Sequence, residues 1–183
     1  YYPPYFNPGG DPYAGGAEDA YLTDRVADDT IAFLNNYRRD EPFLATTFFY
    51  NVHGPHHGRR DLLAKYEQRG FTGRQAHYGA MVEATDDAIG RILETLESRG
   101  LADDTIVVFF SDQGGYFTNA PLRGGKGRLY EGGIRVPLMV RWPGKIAAGS
   151  TSDAVVGCID VYPTILELVG IAPQDVGRAL LPA

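Results

Sequence analysis

An α/β fold with a largely parallel sheet is the class this sequence predicts, on three observations. Segments rich in β-branched and aromatic residues alternate with segments of helical periodicity. The longest helical pattern, 75–99, runs almost directly into the apolar stretch Thr105–Phe110. The residues best suited to chemistry, His53 and Asp112, each follow a strand-like run, which is where ligands gather in parallel α/β sheets.

Taken in order, residues 1–16 are rich in Tyr, Pro and Gly and read as irregular loop. Residues 17–39 read as a helix, with Glu18 and Asp19 in the first turn and Arg38 and Arg39 in the last, complementing the macrodipole. Its apolar stripe is Leu22, Val26, Phe33 and Tyr37, and Pro42 ends the segment. Phe43 to Tyr50 reads as a strand, and Arg60 to Arg69 as a short helix closed by Gly70. The 75–99 helix carries Tyr78, Met81, Val82, Thr85, Ile89, Ile92, Leu93 and Leu96 at i, i+3, i+4, i+7 spacing, with Gly100 as its left-handed cap. Thr105–Phe110 reads as a buried strand, Val136–Val140 as another and Ala154–Ile159 as a third. Asp160 is placed to cap a last helix through Val169, with Pro163 in its first turn.

The 183 residues make one domain or part of one. A hydrophobic content of 44% is enough for a core, and 22% charged residues is ordinary. The net charge of −6 argues against a nucleic-acid partner. It leaves an anionic substrate open, because a local cluster overrides the mean field. The single cysteine, Cys158, excludes an internal disulfide framework and a multi-cysteine zinc site, and reads as a small apolar core residue. No apolar run approaches the ~18 residues a membrane span needs. The chain begins without Met, so its lack of a signal peptide carries no information about targeting.

The chemistry concentrates in Ser111–Leu129. Asp112 and Gln113 put two oxygen ligands side by side at a strand's end, which suits a hard cation. Lys126 stands between glycines in the same stretch, which suits an oxyanion. Together they point to a sulfate or phosphate ester held against a metal. The bland alternatives are a strand-end turn for Asp112–Gln113 and a solvated loop lysine for Lys126, which lacks the surroundings of a Walker A lysine. Arg123 either positions an anionic substrate or pairs with a carboxylate such as Glu131. His53, His56 and His57 could suggest zinc, but no cysteine or second histidine pair completes the set. His56 and His57 read as loop residues, and His77, opening a helix, as a surface residue. The pairs Asp28–Asp29, Asp86–Asp87 and Asp103–Asp104 read as solvated helix or turn carboxylates.

From Tyr21 to Leu181 the chain resembles the sulfatases of the alkaline phosphatase superfamily. The resemblance rests on Tyr78-Gly-Ala-Met-Val-Glu-Ala-Thr-Asp-Asp87, Ser111-Asp-Gln-Gly-Gly115 and Pro121-Leu-Arg-Gly-Gly-Lys-Gly127. Tyr130-Glu-Gly-Gly-Ile-Arg-Val-Pro137, Arg141-Trp-Pro-Gly144 and Asp160-Val-Tyr-Pro-Thr-Ile-Leu-Glu-Leu168 extend it. The pairing of Pro-Leu-Arg-Gly-Gly-Lys-Gly with Tyr-Glu-Gly-Gly is similar to the branch of arylsulfatases and sulfated-glycan sulfatases. The resemblance implies an alkaline-phosphatase-like, mostly parallel sheet flanked by helices. It implies that Asp112 and Gln113 are the second pair of metal ligands, usually for calcium, with magnesium as the alternative. The family more often has Asn or His at the second position; Gln offers the same amide oxygen one methylene further out. It further implies that Lys126 contacts the sulfate and the nucleophile, and that His53 contacts the sulfate and the leaving oxygen. A cation, an ammonium and an imidazolium would stabilise the charge that builds on those oxygens, and a histidine near the leaving oxygen can act as general acid.

Family members attack with a formylglycine made from the first residue of a Cys/Ser-x-Pro-x-Arg motif, and no such motif occurs in these residues. The first metal pair, an Asp-Asp near the N-terminal strand, is also not found. The expectation is therefore a partial sulfatase catalytic domain over 1–183, incomplete at both ends. The nucleophile-bearing part, its formylglycine-generating enzyme and a C-terminal subdomain would belong to the intact protein, and the chain alone would lack covalent catalysis. The expected substrate is a sulfated small molecule or glycan, and the resemblance implies a periplasmic or extracellular location. The competing functions are a phosphodiesterase or phosphonate monoester hydrolase of the same superfamily, and a non-catalytic relative that binds sulfated glycans.

Overall fold

The computed structural model describes residues 20–171; the irregular N-terminal stretch and the acids Glu18 and Asp19 lie outside them. The chain divides into two compact units, one through Ala102 and one from Asp103.

The first unit is helical, with α1 (Leu22–Asn36), α2 (Arg60–Gln68) and α3 (Arg74–Ser98). Both α1 and α2 pack on α3. The face that α1 buries is Thr23, Ala27 and Leu34, with Tyr21 just ahead of it. That is the expected i, i+4, i+11 pattern displaced by one residue, since Phe33 of the expected stripe is exposed. The displacement has its cause in α3, whose buried residues are Ala76, Ala80, Met81, Ala84, Ala88 and Leu96. An alanine seam lets helices approach closely, so the bulkiest apolar residues flank the contact. Val82, part of the expected face, is exposed. The stripe displaced from α1 makes an aromatic cluster instead, with Phe43 packed edge-on against Phe33 and Tyr37.

The expected strand over 43–50 joins no ladder among the described residues. It is held to α1 by side chains, through Phe43 and through the Thr30 and Thr47 hydroxyls 2.9 Å apart. Arg38 and Arg39 fall outside α1, which ends at Asn36. Arg39, at φ +65°, sends its guanidinium to the carbonyls of Arg99 and Gly100 and so caps α3 rather than α1. Gly100 takes the expected left-handed conformation at φ +59°. Arg59 laces the three helices together through Asp24, Asp61 and Asp87. Burial opposes its charge, but those carboxylates outweigh burial and raise its pKa.

A 3₁₀ turn (Ala102–Asp104) spans the boundary, and the second unit then holds β1 (Val107–Phe110), a one-turn α4 (Glu131–Ile134), β2 (Leu138–Arg141) and α5 (Cys158–Leu168). β1 and β2 pair antiparallel, Val107 opposite Arg141 and Phe110 opposite Leu138. β1 is half-buried rather than buried, and Phe110, Leu138, Met139 and Val140 are exposed, because a two-stranded ladder cannot enclose its own side chains. The expected strand over 154–159 does not form; Gly157 caps α5 and the helix begins at Cys158. Asp160 sits inside the first turn and accepts a hydrogen bond from the Gly157 N–H at 2.7 Å, and Pro163 lies inside the helix beyond that turn. Cys158 is exposed, not a core residue. Among the described residues no helix is long and apolar enough to cross a membrane.

Candidate functional site

The link from β1 to β2 is a backbone knot. Directly after β1, the Ser111 hydroxyl donates to the Gln113 carbonyl at 3.0 Å and turns the chain. The Gly114 N–H then donates to Gly133 at 2.9 Å, Lys126 to Gly115 at 3.0 Å, and Gly132 to Arg123 at 2.8 Å. Asn119 ties the layers, its amide donating to the carbonyls of Gly115 at 3.1 Å and Gly132 at 2.8 Å. The glycines are dictated by these approaches. A Cβ on Gly132 would lie 2.2 Å from the Gly124 oxygen, and one on Gly114 would lie 2.0 Å from the Gly132 oxygen. The Asp112 segment, the Lys126 loop and the Glu131-Gly-Gly turn are thus one object.

On this knot Asp112 is exposed and Gln113 half-buried, and the Gln113 amide donates to the Asp112 carboxylate at 3.1 Å. Lys126 is half-buried and has no carboxylate partner among the described residues. Arg123 does not pair with Glu131, whose carboxylate meets Arg135 at 3.6 Å. Its guanidinium instead lies 3.7 Å above the Tyr130 ring, a contact worth about 0.5–1 kcal/mol at exposed sites. Asp112, Gln113, Arg123 and Lys126 therefore all belong to the second unit.

His53 belongs to the first. Its loop, 51–58, is anchored to α3. The Asn51 amide donates to the Met81 carbonyl at 3.0 Å and to the Thr85 hydroxyl at 3.2 Å. The Gly58 N–H donates to His77 Nδ1 at 3.0 Å, and the Tyr21 hydroxyl donates to the His57 carbonyl at 2.8 Å. His77 is therefore a half-buried anchor, not a surface residue. His53 itself is exposed, with Nδ1 2.7 Å from the Gly54 carbonyl and 3.2 Å from the Tyr50 hydroxyl. A carbonyl only accepts, so Nδ1 carries a proton and Nε2 is the atom left for a ligand. His56 is buried edge-on against Tyr78, and burial, then the Arg74 charge, lowers its pKa. Burial likewise lowers that of His57. Neither histidine joins a metal cluster, and no group of three or more His, Cys, Asp or Glu side chains converges among the described residues. Asp28 pairs with Arg91 and Asp87 with Arg59, as solvated helix carboxylates do.

The donor set at Asp112–Gln113 fits a hard cation. A carboxylate and an amide oxygen are available side by side once the Gln113 amide turns its oxygen, in place of its nitrogen, toward the ion. They supply a minority of the six to eight oxygens calcium takes, so further ligands would come from elsewhere. Asn119, Tyr130 and Asn51 were not predictable as scaffold residues. Their partners are backbone carbonyls, a hydroxyl and a cation that no short motif names, and only an Asn in a Gly/Pro-rich loop hinted at a role.

A family model described as Sulfatase matches residues 1–171. A sulfatase from Formosa agariphila is 38% identical over 178 residues, covering 88% of this chain and 32% of its own length. The steryl-sulfatase of Mus musculus is 37% identical over 179 residues, covering 88% of this chain and 27% of its own. The crystal structure of Ps i-CgsB in complex with k-i-k-neocarrahexaose superposes with a TM-score of 0.79 at 30% identity, over 85% of this chain and 35% of that one. The chain thus spans about a third of the length of the relatives it matches, and it has the alkaline-phosphatase-like fold of the solved sulfatases. With the family model matching nearly its whole length, this chain belongs to the sulfatase family.

Proposed function

We propose that the protein carrying this chain hydrolyses sulfate esters, and that these residues form the metal- and anion-holding part of its active site within a partial catalytic domain. The observation that supports this most is the knot that ties the Asp112–Gln113 segment to the Lys126 loop through the Lys126 N–H to Gly115 bond at 3.0 Å. Asp112 and Gln113 would hold calcium, with magnesium as the alternative. That ion would draw charge from the sulfate oxygens, while a formylglycine outside these residues, made by its generating enzyme, would supply the attacking oxygen.

The chain's own residues do the rest. The Lys126 ammonium, with no carboxylate to neutralise it among the described residues, would sit against a sulfate oxygen and stabilise charge as it builds there. His53, its Nδ1 proton held by the Gly54 carbonyl, would act through Nε2; as an imidazolium it gives the Nε2 proton to the leaving oxygen as the S–O bond breaks. The glycine knot holds Asp112, Gln113 and Lys126 on one hydrogen-bonded stretch of backbone.

Kinetics on an aryl sulfate test this reading, with the whole protein co-expressed with a formylglycine-generating enzyme. Lys126→Ala should lower kcat by at least about 100-fold, as the loss of a preorganised charge-stabilising group does. His53→Ala should cost most on esters with poor leaving groups. The 183-residue chain by itself should be inactive. Faster turnover of an aryl phosphonate or phosphodiester than of the sulfate would replace this reading with a phosphoryl-directed one.

A further inference from the structure

The charge pattern of the knot is the reverse of the chain's. In the first unit Arg59, Lys65 and Arg91 each meet a carboxylate, and in the second Arg135 meets Glu131. Arg123, Lys126 and Arg128 fall within six residues of a chain of net charge −6. None of the three has a carboxylate partner among the described residues. The nearest acid in sequence, Glu131, is already engaged.

Arg123 is also oriented. Its guanidinium lies 3.7 Å over Tyr130, and its side chain donates no hydrogen bond among the described residues. A guanidinium resting on an aromatic ring, with no hydrogen bond of its own, has N–H donors left for a planar or tetrahedral oxyanion. Arg128 leaves the loop on the same side. A Cβ built on Gly124 would lie 3.2 Å from that of Tyr130 and 3.3 Å from that of Arg128. The Arg128 and Tyr130 side chains thus both start close to Gly124, and Arg123 is the cation that lies over the ring. Arg123 and Lys126, three residues apart, lie within about 10 Å of each other along the backbone.

We propose that Arg123, steadied by Tyr130, is a specificity-determining residue that receives a second anionic group of the substrate. Tyr130 is its positioning residue. The substrate class is then a polyanionic glycan whose second sulfate or carboxylate lies on the same sugar as the scissile ester or on the next one. This rests on the reading above, in which Lys126 contacts the scissile sulfate.

The test compares a disulfated disaccharide with its monosulfated counterpart on the whole protein, reading the ratio of their kcat/KM values. Arg123→Gln should lower that ratio about tenfold, the effect of one lost charge-assisted contact, through KM more than kcat. Arg123→Lys should keep part of it. Tyr130→Leu should lower the ratio, and Tyr130→Phe, which keeps the ring, should restore it. In the unmutated protein, added salt should lower the same ratio, because it screens exposed charge. An unchanged ratio in Arg123→Gln, or a salt-independent ratio, would overturn the proposal. If the protein hydrolyses neither ester, the sulfatase reading fails and calorimetric binding of the two disaccharides decides the inference alone. Tighter binding of the disulfated sugar that is lost in Arg123→Gln supports it, and equal binding overturns it.

Discussion

Asn119 holds the candidate site together with one amide group. Its two hydrogen bonds, to Gly115 and Gly132, join the segment after Asp112 to the turn that supports Lys126. Asn119→Ala should destabilise the second unit by about 1–3 kcal/mol, the cost of leaving two carbonyls without their donor, and should weaken activity through misplacement. Chemical denaturation of the variant checks this; a midpoint equal to the parent's would show that the amide does not bind the layers. His56 gives a pH prediction. Burial holds its imidazole, like that of His57, below the ordinary histidine value. In the unfolded chain both protonate near pH 6.5, so below that value the unfolded state binds more protons and stability falls. The thermal midpoint should drop as the pH goes from about 7.5 to about 5.5, and drop less in His56→Phe, which keeps the packing on Tyr78 but cannot titrate. At this scale Asp112, Gln113 and Lys126 were legible because short motifs carry them. The choice of partner for Arg123 was not, because Tyr130 and Glu131 are adjacent in sequence and only geometry separates them.

The helices show what periodicity can and cannot reveal. α2 and α3 begin and end within a residue of expectation because Gly70 and Gly100 punctuate them. Met81 and Leu96 of the expected α3 face are buried, but Val82 of α3 and Phe33 of α1 were misread because hydrophobicity favours them, whereas close helix approach selects Ala80, Ala84 and Ala88. Ala84→Leu should therefore cost about 1–3 kcal/mol by overpacking, and Val82→Thr under about 0.5 kcal/mol as a surface change. Equal costs would mean that the seam is not the contact. The strands were legible by composition only where a partner exists within the described residues. β1 and β2 find each other, while 43–50 has strand-forming residues and no ladder, since a strand is a property of a pair.

For the whole molecule, the chain is about a third as long as its sulfatase relatives, and it displays large apolar side chains on both units, Phe48, Leu129, Val155 and Ile159 among them. Exposed apolar surface of this kind promotes association, so the isolated chain should self-associate in sizing experiments. The central claim is that Asp112 and Gln113 hold the cation of a sulfate-ester hydrolase. The most direct test is the calcium dependence of aryl sulfate hydrolysis by the whole protein, before and after Asp112→Asn. Chelation should abolish turnover and calcium should restore it, with the variant needing at least about tenfold more calcium, the cost of one lost ligand charge. A variant with the parent's calcium titration and rate would contradict the account.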